Sequence, residues 1–272
     1  MRKRLSNKAR VWGGLGALAV CLAAVGARCC RFRRKCGLEA LAVCLAAVGA
    51  GLFLAARPGV QTAARINGLD VDVREYLLVA GQERGGVLAD FTARYGAQAD
   101  EGFWQREWDG ETPAQALEKR TLDRLTVVKV QQQMMLEAGV LEDAGYEAFL
   151  EDWRRENQRR RQALERGEAL YGPESYTEEQ YYTLRLDKGL LALADKLAAG
   201  ELKVTDEERQ AAYQGTDAFL FEEDGTRKPL EEVRAVLDKR LVEEKLEKKT
   251  AALAAKAAVT VHRDTLDKVR YN

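Results

Sequence analysis

"ARINGLDVD" (64–72) is the stretch on which the fold of this chain turns. Two short apolar runs flank Asn67-Gly68, a pair suited to the positive-φ positions of a tight hairpin turn. Near the far end "AVTVH" (258–262) alternates β-branched residues in the same extended manner. A two-stranded hairpin is marginal in water, and a third strand with a helix beneath it supplies the missing burial. The two ends of the body are therefore expected to meet in a small sheet.

Between those ends the residues favour helix. The chain has four prolines in 272 residues and abundant Ala, Leu, Glu, Lys and Arg. Asp72 with Glu75, Thr112 with Pro113 and Gln115, Thr177 with Gln180, and Thr205 with Glu208 each match a capping box. In that motif the first side chain satisfies an orphan N–H at the helix start and the later one reaches back. The predicted helices run over 73–94, 113–138, 144–167, 177–199, 205–213 and 229–257. The second carries Leu117, Leu122, Leu125, Val128 and Met135 on one stripe, as a core helix does. The expected fold class is mainly α: an N-terminal membrane anchor, then an irregular helical module with a small hairpin or three-strand element joining its N- and C-terminal parts.

The first 57 residues set the expected location. They hold eleven basic residues and one acid, Glu39, around apolar stretches at 11–27 and 37–56. The second stretch, 20 residues long, is about enough to cross a ~30 Å hydrocarbon layer. Between the stretches lies "RCCRFRRKC", with Arg28, Arg31, Arg33, Arg34 and Lys35. A basic segment beside a span stays in the cytoplasm, so the body is expected outside, tethered to the cell membrane and in contact with its lipid. The first stretch has two open readings, a second span or a shallow interfacial segment. The stretches are near copies: "GLGALAVCLAAVGA" (14–27) recurs as "GLEALAVCLAAVGA" (37–50), which reads as a local duplication within an anchor. A cleaved signal peptide competes with this reading, and the span length favours an uncut anchor.

The whole chain has 43 bases and 43 acids, so the body after residue 60 is net negative by ten. An acidic body is a poor partner for nucleic acid. All five cysteines (21, 29, 30, 36 and 44) lie in the leader, without the paired spacing of a metal site. No cofactor or metal motif is present: there is no phosphate-cradling glycine loop, nucleophile elbow or paired-histidine run.

The body resembles the extracytoplasmic foldase-chaperones of the SurA and PrsA type, specifically their helical N-terminal chaperone module. The residues that carry the resemblance are "INGLDVDVREYLL" (66–78), "TPAQALEKRTLDRLTVVKVQQQ" (112–133), "YGPESYTEEQYY" (171–182) and "LKVTDEERQAAY" (202–213), which together span most of 64–213. With the leader, the resemblance divides the chain into four parts: the tail and anchor (1–60), the helical module (61–213), a linker (214–228), and a final helix and strand packing back on the module (229–272). In that family a parvulin prolyl-isomerase domain follows the module. Here only "QGTDAFLFEEDGTRK" (214–228) stands at that point. Parvulin sites use histidines with a cysteine or aspartate, whereas this body has one histidine, His262, and no cysteine. The resemblance thus implies a chaperone scaffold without the recognised catalytic domain, with unfolded or newly exported polypeptides as partners.

A proton-transfer site needs partners at hydrogen-bond reach, and His262, in an expected strand beside Arg263 and Asp264, reads as exposed or structural. The basic run "WRRENQRRRQ" (153–162), with Glu151, Asp152, Glu156 and Glu165 close by, reads as an exposed helix with i,i+4 ion pairs. The client-binding candidates are aromatic: Phe103, Trp104 and Trp108 before the second helix, and Tyr171, Tyr176, Tyr181 and Tyr182 around the fourth. Such rings supply large contact area with few rotatable bonds. Aromatics one turn apart, as Trp104 and Trp108 are, also belong to cores. The expected function is a membrane-anchored holder of unfolded exported chains. The alternatives are a prolyl isomerase with an unrecognised site, a non-catalytic envelope adaptor, and a stress-sensing regulator.

Overall fold

Asn67 and Gly68 take φ angles of 48° and 85°, the two positive values that let a two-residue turn match the right-handed twist of its strands. The computed structural model describes residues 61–269. In it the turn joins β1 (Thr62–Ile66) to β2 (Leu69–Asp72). Ile66 stands opposite Leu69 and Ala64 opposite Val71, with a register slip between Thr62 and Ala64. The third strand, β3 (Val259–Val261), runs antiparallel along the other edge of β1, so the order is β2-β1-β3. Asn67 fastens this junction twice: its N–H donates to Ala258 O (2.9 Å), and its Oδ1 accepts from the Ala258 N–H (2.9 Å). The ends of the body meet as the alternation of "AVTVH" indicates.

The rest is mainly helical: α1 (Val73–Tyr95), α2 (Pro113–Glu137), α3 (Tyr146–Glu165), α4 (Glu178–Ala198), α5 (Asp206–Tyr213), α6 (Leu230–Ala254) and α7 (Arg263–Leu266). Thr112 with Gln115, Thr177 with Gln180, and Thr205 with Glu208 form reciprocal capping boxes at the starts of α2, α4 and α5. The expected box at Asp72 does not form. Asp72 caps α1 by accepting from the Arg74 N–H (2.8 Å), and Glu75 turns inward. The reason is tertiary: a buried cation waits for Glu75, as described below.

Helix α2 is the spine. Its middle packs Leu125 and Val128 beneath the sheet with Ile66, Val71, Tyr76 and Leu266. Toward its C-terminus Val130, Met134 and Met135 meet Leu193 of α4 and Val242 and Leu246 of α6. At its start Leu117 joins Phe91 and Phe103. A fourth cluster lies at the head of α6, where Val233 and Leu237 cover Leu220, which has no exposed surface.

That last contact shows segment 214–228 to be more than a connector. It contains a 3-10 turn (Ala218–Leu220) and a Phe221–Arg227 bridge. The Arg227 guanidinium donates to Tyr213 O (2.5 Å) and Gly215 O (3.1 Å) and lies over the Phe221 ring. Arg209 on α5 holds Asp238 of α6 with two bonds (2.6 and 3.1 Å). The anchor expected at 1–60, with Arg28, Arg31, Arg33, Arg34 and Lys35, lies outside the described residues. Among the described residues no helix is long and apolar enough to cross a membrane.

Candidate functional site

An apolar stripe is expected on the inner side of a spine helix, yet α2 places Lys129 and Gln132 there, one turn apart and both buried. A buried ammonium is tolerated only when a counter-charge and hydrogen bonds replace water. Glu75 of α1 supplies the charge: its Oε2 lies 2.9 Å from Lys129 Nζ, with both side chains at most 1% exposed. Tyr182 of α4 donates its hydroxyl to Glu75 Oε1 (2.9 Å). Burial, and then the neighbouring Glu75 carboxylate, hold the Tyr182 phenol well above its ordinary pKa. Tyr146 of α3 donates to Glu178, and burial followed by that bond raises its pKa as well.

Above this polar core opens a cleft of about 660 Å³, where the end of α2, the 140–143 loop, the start of α3 and one face of α4 converge. Its floor is Gln132, Met135, Phe149, Tyr181, Tyr182 and Leu186. Gly189 lets α4 approach α2 closely, because a Cβ at that position would stand 2.7 Å from Met135 Sδ. The rim is charged. Asp152 pairs with Arg155 and with Arg185 (3.1 Å), and Glu142, Glu151 and Lys188 stand beside them. The Gln132 Oε1 atom is buried and has no hydrogen-bond partner.

The aromatic candidates separate into different environments. Phe103 is 1% exposed and meets Phe91 and Trp104 edge-on and Trp108 at a tilt. Trp104 and Trp108 are half-buried against the same cluster, so this trio builds a local core. A second cleft, about 610 Å³, lies beside it, bordered by Gly85, Leu88 and Trp104, with the Arg84 guanidinium over the Trp104 ring. Tyr181 and Tyr182 both border the larger cleft, Tyr182 as its buried base. Tyr171 is 98% exposed at the tip of the α3–α4 loop, away from both clefts. Tyr176 is half-buried in that loop and meets Tyr181 at a tilt, with centroids 5.9 Å apart.

The basic run carries ion pairs as expected, but its i,i+4 pair, Glu156 with Arg160 (2.9 Å), falls on a buried arginine. Arg159 pairs with Glu156 (2.8 Å) and Arg154 with Glu147 (3.3 Å). Arg160, however, is 5% exposed and clamps the α3–α4 loop. It donates to Pro173 O, to Tyr171 O (3.1 Å) and to Tyr176 Oη (3.0 Å), and its guanidinium covers the Tyr176 ring. Asn157 exchanges two further bonds with the Tyr176 backbone, and Trp153 Nε1 donates to Tyr176 O. His262 is exposed, and its N–H donates to Ala63 O (2.9 Å). Among the described residues no group of three His, Cys, Asp or Glu is placed to hold a metal.

Gln132, Met135 and Leu186 escape a reading of the sequence because an apolar position on a helix stripe looks the same whether it faces a core or a cleft. The signal in reach is Lys129 with Gln132, two polar residues on the buried stripe of α2. Comparison with protein-family models, curated proteins and solved structures finds no match to the chain. The cleft offers aromatic and aliphatic contact area at its floor and charges at its edge.

Proposed function

We propose that this is a membrane-tethered, extracytoplasmic, chaperone-like protein that holds unfolded or newly exported polypeptides in the α2–α4 cleft. The observation that carries the reading is the cleft itself: an open groove with aromatic and aliphatic side chains on its floor and mixed charge at the rim. Sites that bind by contact area rely on such aromatic and aliphatic surface. The likeness of 64–213 to the SurA and PrsA chaperone module supports the same conclusion, as does a fold closed by its own C-terminal strand. The tether and the external placement rest on the charge asymmetry of the leader.

The test uses the full chain in lipid nanodiscs. A chemically denatured model client should aggregate more slowly in its presence. Tyr181→Ala with Ala192→Glu, which strips a ring from the cleft and adds a charge, should abolish that protection while leaving the helical circular dichroism unchanged. Wild-type protein at tenfold excess that leaves aggregation untouched defeats the proposal. For the placement, protease added to intact spheroplasts should digest the body, and survival of the body until lysis would reverse the orientation.

A further inference from the structure

Gln132 is 7% exposed at the floor of the cleft, and its side-chain oxygen is buried with no donor. A buried polar atom without a partner weakens a fold, and each such atom in a native protein calls for a reason. Methionine has nearly the same length and suits the neighbourhood of Met135 and Leu186, yet an amide stands there. The rim adds a second observation. Asp152 is taken up by Arg155 and Arg185, and Asp143 Oδ1 accepts from the Gly145 N–H (2.6 Å). Across the lining four carboxylates, Glu142, Asp143, Glu151 and Asp152, stand against three cations, Arg155, Arg185 and Lys188, and Glu142 and Glu151 are exposed and without ion pairs among the described residues.

We propose that the cleft takes an extended polypeptide segment in which a bulky apolar residue is flanked by Lys or Arg, and that the Gln132 amide is the polar contact that holds the backbone of that segment. The proposal rests on the client-holding reading and names what that site selects. The apolar residue covers Met135, Leu186 and the Tyr181 ring, each of which borders the cleft. In the bound state the Gln132 side chain would have to turn its oxygen, buried in the free protein, into the cleft, where a peptide N–H satisfies it. The flanking cation meets Glu142 and Glu151, which draws basic segments and turns acidic ones away. An amide kept at the expense of stability and repaid on binding is the expected mark of a functional position.

The experiment measures fluorescence anisotropy with the full chain in nanodiscs and two labelled ten-residue peptides, one with a Phe-Leu centre flanked by lysines and one with the same centre flanked by glutamates. The lysine peptide should bind at least about tenfold tighter, and added salt should narrow the gap. Gln132→Met should raise the melting temperature while weakening the lysine peptide about tenfold, the loss of one hydrogen bond. Glu142→Gln with Glu151→Gln, both at exposed positions that the core does not use, should erase the preference between peptides. Equal affinity for the two peptides in the wild type overturns the proposal, as does a Gln132→Met protein that is more stable and binds as before. If clients are protected from aggregation but the peptides ignore Gln132 and the rim, this inference alone fails. If neither peptide binds and no client is protected, the client-holding reading fails with it.

Discussion

Tyr182 donates its hydroxyl to Glu75 Oε1 at 2.9 Å, across 107 residues of chain. The other oxygen of that carboxylate faces Lys129 Nζ at 2.9 Å. One buried side chain of α1 thus ties α2 and α4 together beneath the cleft, and its loss would reach all three helices.

Removing either ion alone should therefore be severe. Glu75→Leu or Lys129→Met is expected to destabilise by about 3–5 kcal/mol, because the remaining charge stays buried without its partner. The double variant, combined with Tyr182→Phe to avoid an orphaned hydroxyl, should recover most of that loss. Urea unfolding of the singles and the combination measures it, and simple additivity of the losses would contradict the coupling.

The pH range of stability follows from opposite shifts. Tyr182 has a raised pKa in the fold, so its contribution is complete below the ordinary tyrosine value of 10.0 and is lost as pH climbs from there through the folded value. Glu156, held by Arg159, and Glu208, held by Lys245 and the Thr205 N–H, have lowered values. Their contributions are complete above the ordinary glutamate value of 4.5 and are lost as pH falls through their folded values. Urea midpoints should form a plateau between those limits, and Tyr182→Phe should soften the alkaline fall without touching the acid one.

Arg160→Ala should loosen the α3–α4 loop more than the core. The side chain holds three loop groups, and none of the apolar clusters includes it. Limited proteolysis between Gly167 and Ser175 should speed up by about tenfold or more, equivalent to roughly 1.4 kcal/mol of local opening. Arg160→Lys should not rescue it, since a point charge cannot span the carbonyls and the ring together. A loop equally resistant in all three proteins would show that Asn157 and Trp153 suffice.

Much of the frame is legible in the sequence because its signals are local. Thr112, Thr177 and Thr205 announce their helices through partners three residues on, and Asn67-Gly68 states its own turn. Glu75 shows the limit. Its spacing from Asp72 satisfies the capping pattern, while its true partner, Lys129, lies in another helix, and nothing in so charged a chain marks that pair in advance. Leu220 is hidden for the same reason, since only the arrival of α6 turns its segment into a core. At the cleft, Tyr181 and Tyr182 are legible as aromatics near a helix start. Gln132 and Met135 are not, because three separate elements must meet before their stripe becomes a wall.

Closure of the sheet is testable by shortening the chain. Ending it after Lys248 removes β3 and Leu266, which is 5% exposed in the main core, and uncovers the outer edge of β1. The melting temperature should fall well below that of the intact chain, with protection of clients falling in parallel. A milder form, Leu266→Ala, should lose about 2–5 kcal/mol as a buried leucine truncation. An unchanged melting temperature in the shortened protein would make the tail dispensable.

The Asn67–Ala258 junction also sets a clock. Its two residues are 191 positions apart, and chains are made N-terminus first at about 5–20 residues per second. Roughly 10–40 seconds therefore separate the appearance of β1 from that of the strand that covers its edge. Throughout that interval the backbone groups of Ala63, Arg65 and Asn67 face no partner, the condition in which strand edges seek foreign chains. During its own synthesis, a protein that we propose shelters unfinished polypeptides is itself one of them until β3 is made.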